Sequence, residues 1–159
     1  MRRFFMQRSS IPFIFFLITL LSTPVFSQSL EPPTGLWKTE GGKSIVEIIP
    51  LPENKSWAAQ IVWLRESTDD EGEELVDNLN PDPKKRNNPI LGLTIAWGFR
   101  SAERDGWKDG QVYDPENGKI YKGQARMKGD KLELRGYIGI PTFGRSTHWE
   151  RVSHLPESS

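Results

Sequence analysis

The sequence predicts a small all-β protein, an antiparallel up-and-down barrel of about eight strands. Three observations predict it. Bulky apolar residues alternate with small or polar ones at period two over much of the chain beyond Gly35. Glycine, proline and Asn-Gly turn signals recur between these runs. No long stretch carries a helical period. Neighbouring strands joined by short loops pair antiparallel. Eight of them remove their exposed edges by closing on themselves. An open sandwich is the alternative.

Residues 1–27 read as an address rather than as structure. Arg2, Arg3 and Arg8 form a basic start, Ile11 to Leu21 a short apolar run, and Val25-Phe26-Ser27 an exit with small residues at the positions that matter. That is the pattern of a secretory signal peptide cut after Ser27. The apolar run falls short of the roughly 20 residues that span a bilayer. With no later run of that kind, no stable membrane insertion is expected after cleavage. The Arg2-Arg3 pair leaves twin-arginine export open beside the general route. The chain contains no cysteine, which excludes a lipoprotein anchor and disulfides alike. A disulfide-free exported domain of this size suits a bacterial periplasm. The expected location is therefore periplasmic or secreted.

The 159-residue chain balances 21 basic against 21 acidic residues. Loss of the three leader arginines leaves a slight acidic excess. No basic surplus draws the mature chain to nucleic acid.

Residues 28–34 form a polar, proline-containing leader, and residues 35–153 the single barrel domain. Leu36 to Thr39 and Lys43 to Ile49 flank Glu40-Gly41-Gly42 as a hairpin. Pro50 to Lys55 is a turn. Ser56 to Arg65 is a strand with Trp57, Ala59, Ile61 and Trp63 on one face. Ser67 to Asn88 is a long loop, acidic and then rich in proline and lysine, with a short helical turn placed near Glu73 to Leu79. Loops of that length in compact domains are functional lids or mobile excursions. Ile90 to Phe99 alternates Leu91, Leu93, Ile95, Trp97 and Phe99 with small residues, which suits a tightly curved strand. Gly110 to Asp114 and Lys119 to Met127 bracket Pro115-Glu116-Asn117-Gly118, a strong turn signal. Lys131 to Ile138 and Arg145 to Val152 complete the set. Residues 154–159 are a tail.

Gly35-Leu36-Trp37 at the head of the first strand resembles the Gly-x-Trp opening of lipocalins. That resemblance implies a closed floor where an arginine of the last strand, here Arg151, covers the tryptophan. A broader resemblance spans nearly the whole mature chain. It is carried by Gly35-x-Trp37, by Asp77 with Asn80-Pro81-Asp82 and Arg86, and by Pro89-x-x-Gly92. It continues through Trp107-x-x-Gly110-x-x-Tyr113-Asp114-Pro115-x-x-Gly118-Lys119-x-Tyr121. Leu134-Arg135-Gly136-Tyr137-Ile138-Gly139 and Gly144-Arg145-Ser146-x-x-Trp149-x-Arg151 complete it. The blocks resemble the bacterial family called domain of unknown function 2147. The resemblance implies an exported, lipocalin-like barrel and no particular reaction.

Six tryptophans are many for this length. Most are expected to fill the core and close its ends. Trp57, Trp63, Trp97 and Phe99 are the candidates for lining an apolar pocket, because they alternate on strands rich in small residues. Arg135 and Arg145 are candidates for gripping a ligand carboxylate; ordinary pairing of Arg135 or Arg145 with Glu133, Glu150 or Asp114 is the stronger expectation. Tyr113, Tyr121 and Tyr137 could add hydroxyls to the same ligand or cap the rim. The Tyr113 to Gly118 block reads chiefly as turn chemistry. The acidic stretch Asp69 to Asp77 lacks calcium-loop spacing. No cofactor and no metal site are predicted. His148 and His154 stand near the C-terminus with no nucleophile elbow, phosphate loop or zinc motif in the chain. The sequence thus points away from an enzyme. It favours a module that binds a small hydrophobic or amphipathic molecule, with a solid-barrel envelope interaction protein as the alternative.

Overall fold

The computed structural model describes residues 29–102 and 106–157. The signal-peptide reading of residues 1–27 lies outside the described residues.

Eight antiparallel strands close into a barrel in sequence order. They are β1 (Gly35–Lys38), β2 (Ser44–Leu51), β3 (Ser56–Leu64), β4 (Thr94–Ser101), β5 (Trp107–Asp114), β6 (Lys119–Lys128), β7 (Lys131–Tyr137) and β8 (Arg145–Val152). The ring closes where Trp37 of β1 stands opposite Arg151 of β8. The other described elements are short 3-10 turns, at Glu40–Gly42, Pro52–Asn54, Pro83–Lys85 and Pro141–Phe143.

Most strand positions follow the sequence pattern, and β8 spans the predicted residues. Three expectations are corrected. The fourth strand begins at Thr94, so Ile90 to Leu93 belong to the preceding loop. The short helical turn in that loop is at Pro83–Lys85, where Asp82 accepts from the Lys84 amide, and not at Glu73 to Leu79. The segment around Glu73 instead makes isolated bridges, Thr68 to Glu74 and Val76 to Pro89.

The third correction concerns which way side chains face. Residues directly opposite each other in an antiparallel pair lie on one face of the sheet. Pairing passes from Val46–Ile61 to Ile45–Trp63, so Val62 is an extra, unpaired residue. Trp63 is thereby turned to the outer face with Ile45 and leaves the side it would share with Trp57, Ala59 and Ile61. On β4, Phe99 pairs with Trp57 and Trp97 with Ala58, which skips Gly98 at φ 75°. This bulge turns Trp97 outward while Phe99 stays inward. An extra residue reverses the period-two alternation beyond it.

The two ends of the barrel differ. One carries the start of β1, the end of β8 and the short turns β2–β3 and β6–β7. The other gathers the β1–β2 and β5–β6 turns, the long β3–β4 loop and the β7–β8 loop, and this is the open end.

Candidate functional site

The closed end is built around Trp37. Its indole is fully buried, and its N–H donates to the Pro33 carbonyl at 2.8 Å. The Arg151 guanidinium lies 4.4 Å over the ring and donates to the Thr34 carbonyl at 2.7 Å. The expected tryptophan–arginine floor is therefore present. A cation so placed contributes roughly 0.5–2 kcal/mol.

Above the floor the interior is solid. Trp57 stacks on Phe99 at 4.2 Å and meets Trp107 edge-on at 6.0 Å. The Phe99 ring fits because Gly110 and Gly123 have no side chains; a Cβ on either would come within 2.5 Å of it. Leu132, Leu134 and Trp149 complete this layer.

Towards the open end the inner face changes character. On β7, Leu132 and Leu134 are buried but Gly136 is half-exposed. On β8, Trp149 is buried, Thr147 half-exposed and Arg145 exposed. On β6, Ala125 and Gly123 are buried and Tyr121 is half-exposed. On β3, Trp57, Ala59 and Ile61 are buried and Leu64 is half-exposed. Gly136 stands opposite Arg145, and Leu134 opposite Thr147, which places all four on the inner face. Val112, Leu93 and Ile90 pack on the top of the core and are partly buried. Burial of the inner face thus decreases from the aromatic layer towards the open end. The upper end of the interior, a partly open cup, has partly buried apolar residues on its wall and the exposed Arg145 towards its lip. Among the described residues no carboxylate pairs with Arg145.

A family model described as "Uncharacterized protein conserved in bacteria (DUF2147)" matches residues 35–151. The chain belongs to the DUF2147 family. Among solved structures, this DUF2147 barrel resembles protein HP1028 of Helicobacter pylori, whose description states that it belongs to the lipocalin family. The two share 24% identity with a TM-score of 0.62, over 79% of this chain and 85% of the other. That likeness concerns the fold: a lipocalin-like barrel. No curated protein shows a significant match.

The DUF2147 barrel scatters the residues singled out in the sequence. Trp57 and Phe99 are inside but pack against each other below the cup. Trp63 and Trp97 lie on the outer wall for the reasons given above. Tyr121 and Arg145 reach the cup. The Tyr121 hydroxyl accepts from Asn117 at 3.0 Å. Tyr137 pairs with Lys122 across the outer face. Arg135 neither enters the barrel nor meets Glu133, Glu150 or Asp114 through a salt bridge. It lies outside and donates to the carbonyls of Pro141 and Thr142 and to the Ser146 hydroxyl, at 2.7, 3.2 and 3.0 Å.

Tyr113 also lies outside, next to the inward-facing Val112. Its hydroxyl donates to Asp77 at 2.6 Å, and the other Asp77 oxygen accepts from the Asn80 amide at 2.6 Å. Asp77 is 1% exposed. Burial, followed by the bond to Asp77, raises the Tyr113 pKa above its ordinary 10.0. Arg86 donates to the Asn80 carbonyl at 2.9 Å. The motif residues Asp77, Asn80, Arg86 and Tyr113 therefore pin the middle of the long loop to the outer wall. The expected lid is a buttress, and only its last residues, Ile90 and Leu93, turn towards the cup.

The sequence reading missed one cluster. Glu133, on the outer face of β7, is nearly buried beneath Arg126, Lys128 and His148. Its neighbours became visible only through the pairing of Glu133 with Arg126 and His148. Among the described residues no group of carboxylates and histidines has metal-binding geometry.

Proposed function

We propose that this DUF2147 protein is an exported carrier that holds a small hydrophobic or amphipathic molecule in the cup at the open end of its barrel. The observation that carries the reading is the gradient of exposure along the inner face. Closely packed aromatics occupy the lower half, and the less completely buried Leu64, Ile90, Leu93 and Val112 line the upper half. Apolar walls with a few convergent polar groups are what small-molecule sites offer. A ligand tail would rest on the apolar wall. Its polar end would meet Arg145, with Tyr121 and Thr147 beside it, since a guanidinium binds a carboxylate through paired hydrogen bonds. The shallow depth favours a short or partly protruding ligand. Periplasmic or secreted placement belongs to the same reading and rests on the leader. No catalytic chemistry is assigned.

Gly136→Leu tests the site. Gly136 has ordinary backbone geometry, and a Cβ there would make only normal contact with the Tyr121 side chain, at 3.5 Å. Leucine would project into the cup and fill it. Titration of the mature protein with a dansyl-labelled fatty acid should give saturable, one-to-one fluorescence enhancement. The variant should bind at least about tenfold more weakly, the equivalent of roughly 1.4 kcal/mol. Equal binding by both proteins, or no binding by wild type across amphiphiles of differing length, would remove the cup as the site. The second reading, a solid barrel acting through its outer surface, is favoured by the filled lower half and predicts that latter outcome.

A further inference from the structure

We propose that the β7–β8 loop is a membrane-docking knuckle that seats the open end of the barrel on an anionic lipid surface. Ile138, Ile140 and Phe143 are 71, 55 and 81% exposed, including the two most exposed large apolar side chains described. They fall within six residues of one loop. Isolated apolar residues on a surface need no explanation, but a cluster marks an interaction site.

The loop is not a floppy segment that happens to face water. Arg135 commits its Nε, Nη1 and Nη2 groups to the Pro141 carbonyl, the Ser146 hydroxyl and the Thr142 carbonyl. The Phe143 and Gly144 amides close a 3-10 turn on the Ile140 and Pro141 carbonyls. Gly144 sits so close to the Gly136 carbonyl and the Tyr137 side chain that a Cβ would clash with both. The backbone is thus braced on the barrel wall while its apolar side chains are held outward. A loop free to collapse would bury them.

The charges around the loop select the partner. No acidic residue occurs from Leu134 to Trp149, whereas Arg135 and Arg145 flank the apolar tip. Lys122 stands beside Tyr137 on the neighbouring strand. The acidic residues of this end stand on other loops: Glu40 on the β1–β2 turn, the Asp69 to Glu74 stretch on the β3–β4 loop, and Asp114 and Glu116 on the β5–β6 turn, where Glu116 pairs with Lys43. Bulky apolar side chains on a segment that carries only basic charges match an anionic bilayer, in which the tips enter the acyl boundary and neighbouring cations such as Lys122 remain at the headgroups. A protein partner fits less well. Three side chains supply only a fraction of the roughly 800 Å² that each side of a stable protein interface buries. Docked in this way, the open end faces the lipid.

Flotation with vesicles tests the proposal on the full mature protein. Vesicles of phosphatidylglycerol mixed equally with phosphatidylcholine should carry the protein upward, and pure phosphatidylcholine should carry at least about tenfold less. Raising the salt should release it, because surface attraction is screened. Phe143→Asp and Ile138→Asp should each cut vesicle binding about tenfold or more. Both sites are exposed, so thermal melting and dansyl-fatty-acid binding should stay at wild-type values, which separates docking from ligand capture. Wild-type protein that stays with neither vesicle overturns the proposal, as does wild-type vesicle binding by both variants. Concentration-dependent dimerisation abolished by Phe143→Asp, without flotation, would assign the knuckle to a second copy instead and overturn it too.

Discussion

At the scale of single residues, the most constrained group outside the core is the Asp77 carboxylate. It is buried with a tyrosine hydroxyl and an asparagine amide as its side-chain donors. Removing one donor leaves a charged oxygen short of a partner, which costs more than the bond itself contributes in net terms. Tyr113→Phe should destabilise the fold by about 1–3 kcal/mol, read as a lower urea midpoint with unchanged slope. Glu133 makes a pH-dependent counterpart. Burial pushes its carboxyl up, but hydrogen bonds and charges from Lys128 and Arg126 outweigh this and hold it below its ordinary 4.5. A carboxyl depressed by folding stabilises fully above that ordinary value, and the contribution is lost as pH falls through the lower folded value. Thermal melting should therefore drop below about pH 4.5, and Glu133→Gln should remove this part of the drop. At neutral pH the same variant should cost about 1–2 kcal/mol, since its cationic partners are half-exposed and partly screened. Neither site was visible as a unit in the sequence. Tyr113 belonged to a turn motif and Asp77 to a loop motif, and only the barrel wall brings them together across 36 positions.

At the scale of elements, the sequence indicated all eight strands because each is short, alternates and ends in a turn signal. Lys55 at φ 48° and Gly118 at φ 68° take the positive-φ turn geometry that such connections demand. Facing was less legible. Gly98 offered a hint, since a glycine inside a strand often marks a bulge, whereas Val62 offered none. A one-residue insertion on β3 and another on β4 were enough to send Trp63 and Trp97 outside. The long loop was misread for a related reason: its composition suggests mobility, while its anchors are tertiary. One anchor is Gly118, where a Cβ would overlap the Leu79 carbonyl oxygen. Gly118→Ala should lift the loop from the β5–β6 turn, adding backbone strain of about 1 kcal/mol. Hydrogen exchange should then quicken at the Asp77 and Asn80 amides, which bond within the loop, while the amides of β7 keep their protection. Uniform quickening across the barrel would show that the loop and barrel open as one unit.

At the scale of the whole molecule, the barrel is divided across its axis. A tryptophan–arginine floor and an aromatic layer make the lower part a conventional core. The upper part keeps apolar walls but leaves them half-open. Closing a sheet fixes the circumference, and side-chain size then decides where the interior is filled. Gly110 and Gly123 make room for Phe99 in the lower layer, whereas a Cβ on Gly136 would meet only the Tyr121 side chain, at ordinary contact distance. This division separates a carrier from a solid barrel, and periodicity alone could not reveal it because both share one alternation. The measurement that bears most directly on it is native mass spectrometry of wild type and Gly136→Leu, each purified from the cells that naturally make the protein. Wild type should retain one small molecule that denaturation releases, and Gly136→Leu should arrive empty. If both retain the same added mass, the ligand lies elsewhere. If wild type arrives empty and solvent extraction yields nothing, the barrel is not a carrier, and its function lies on the outer surface.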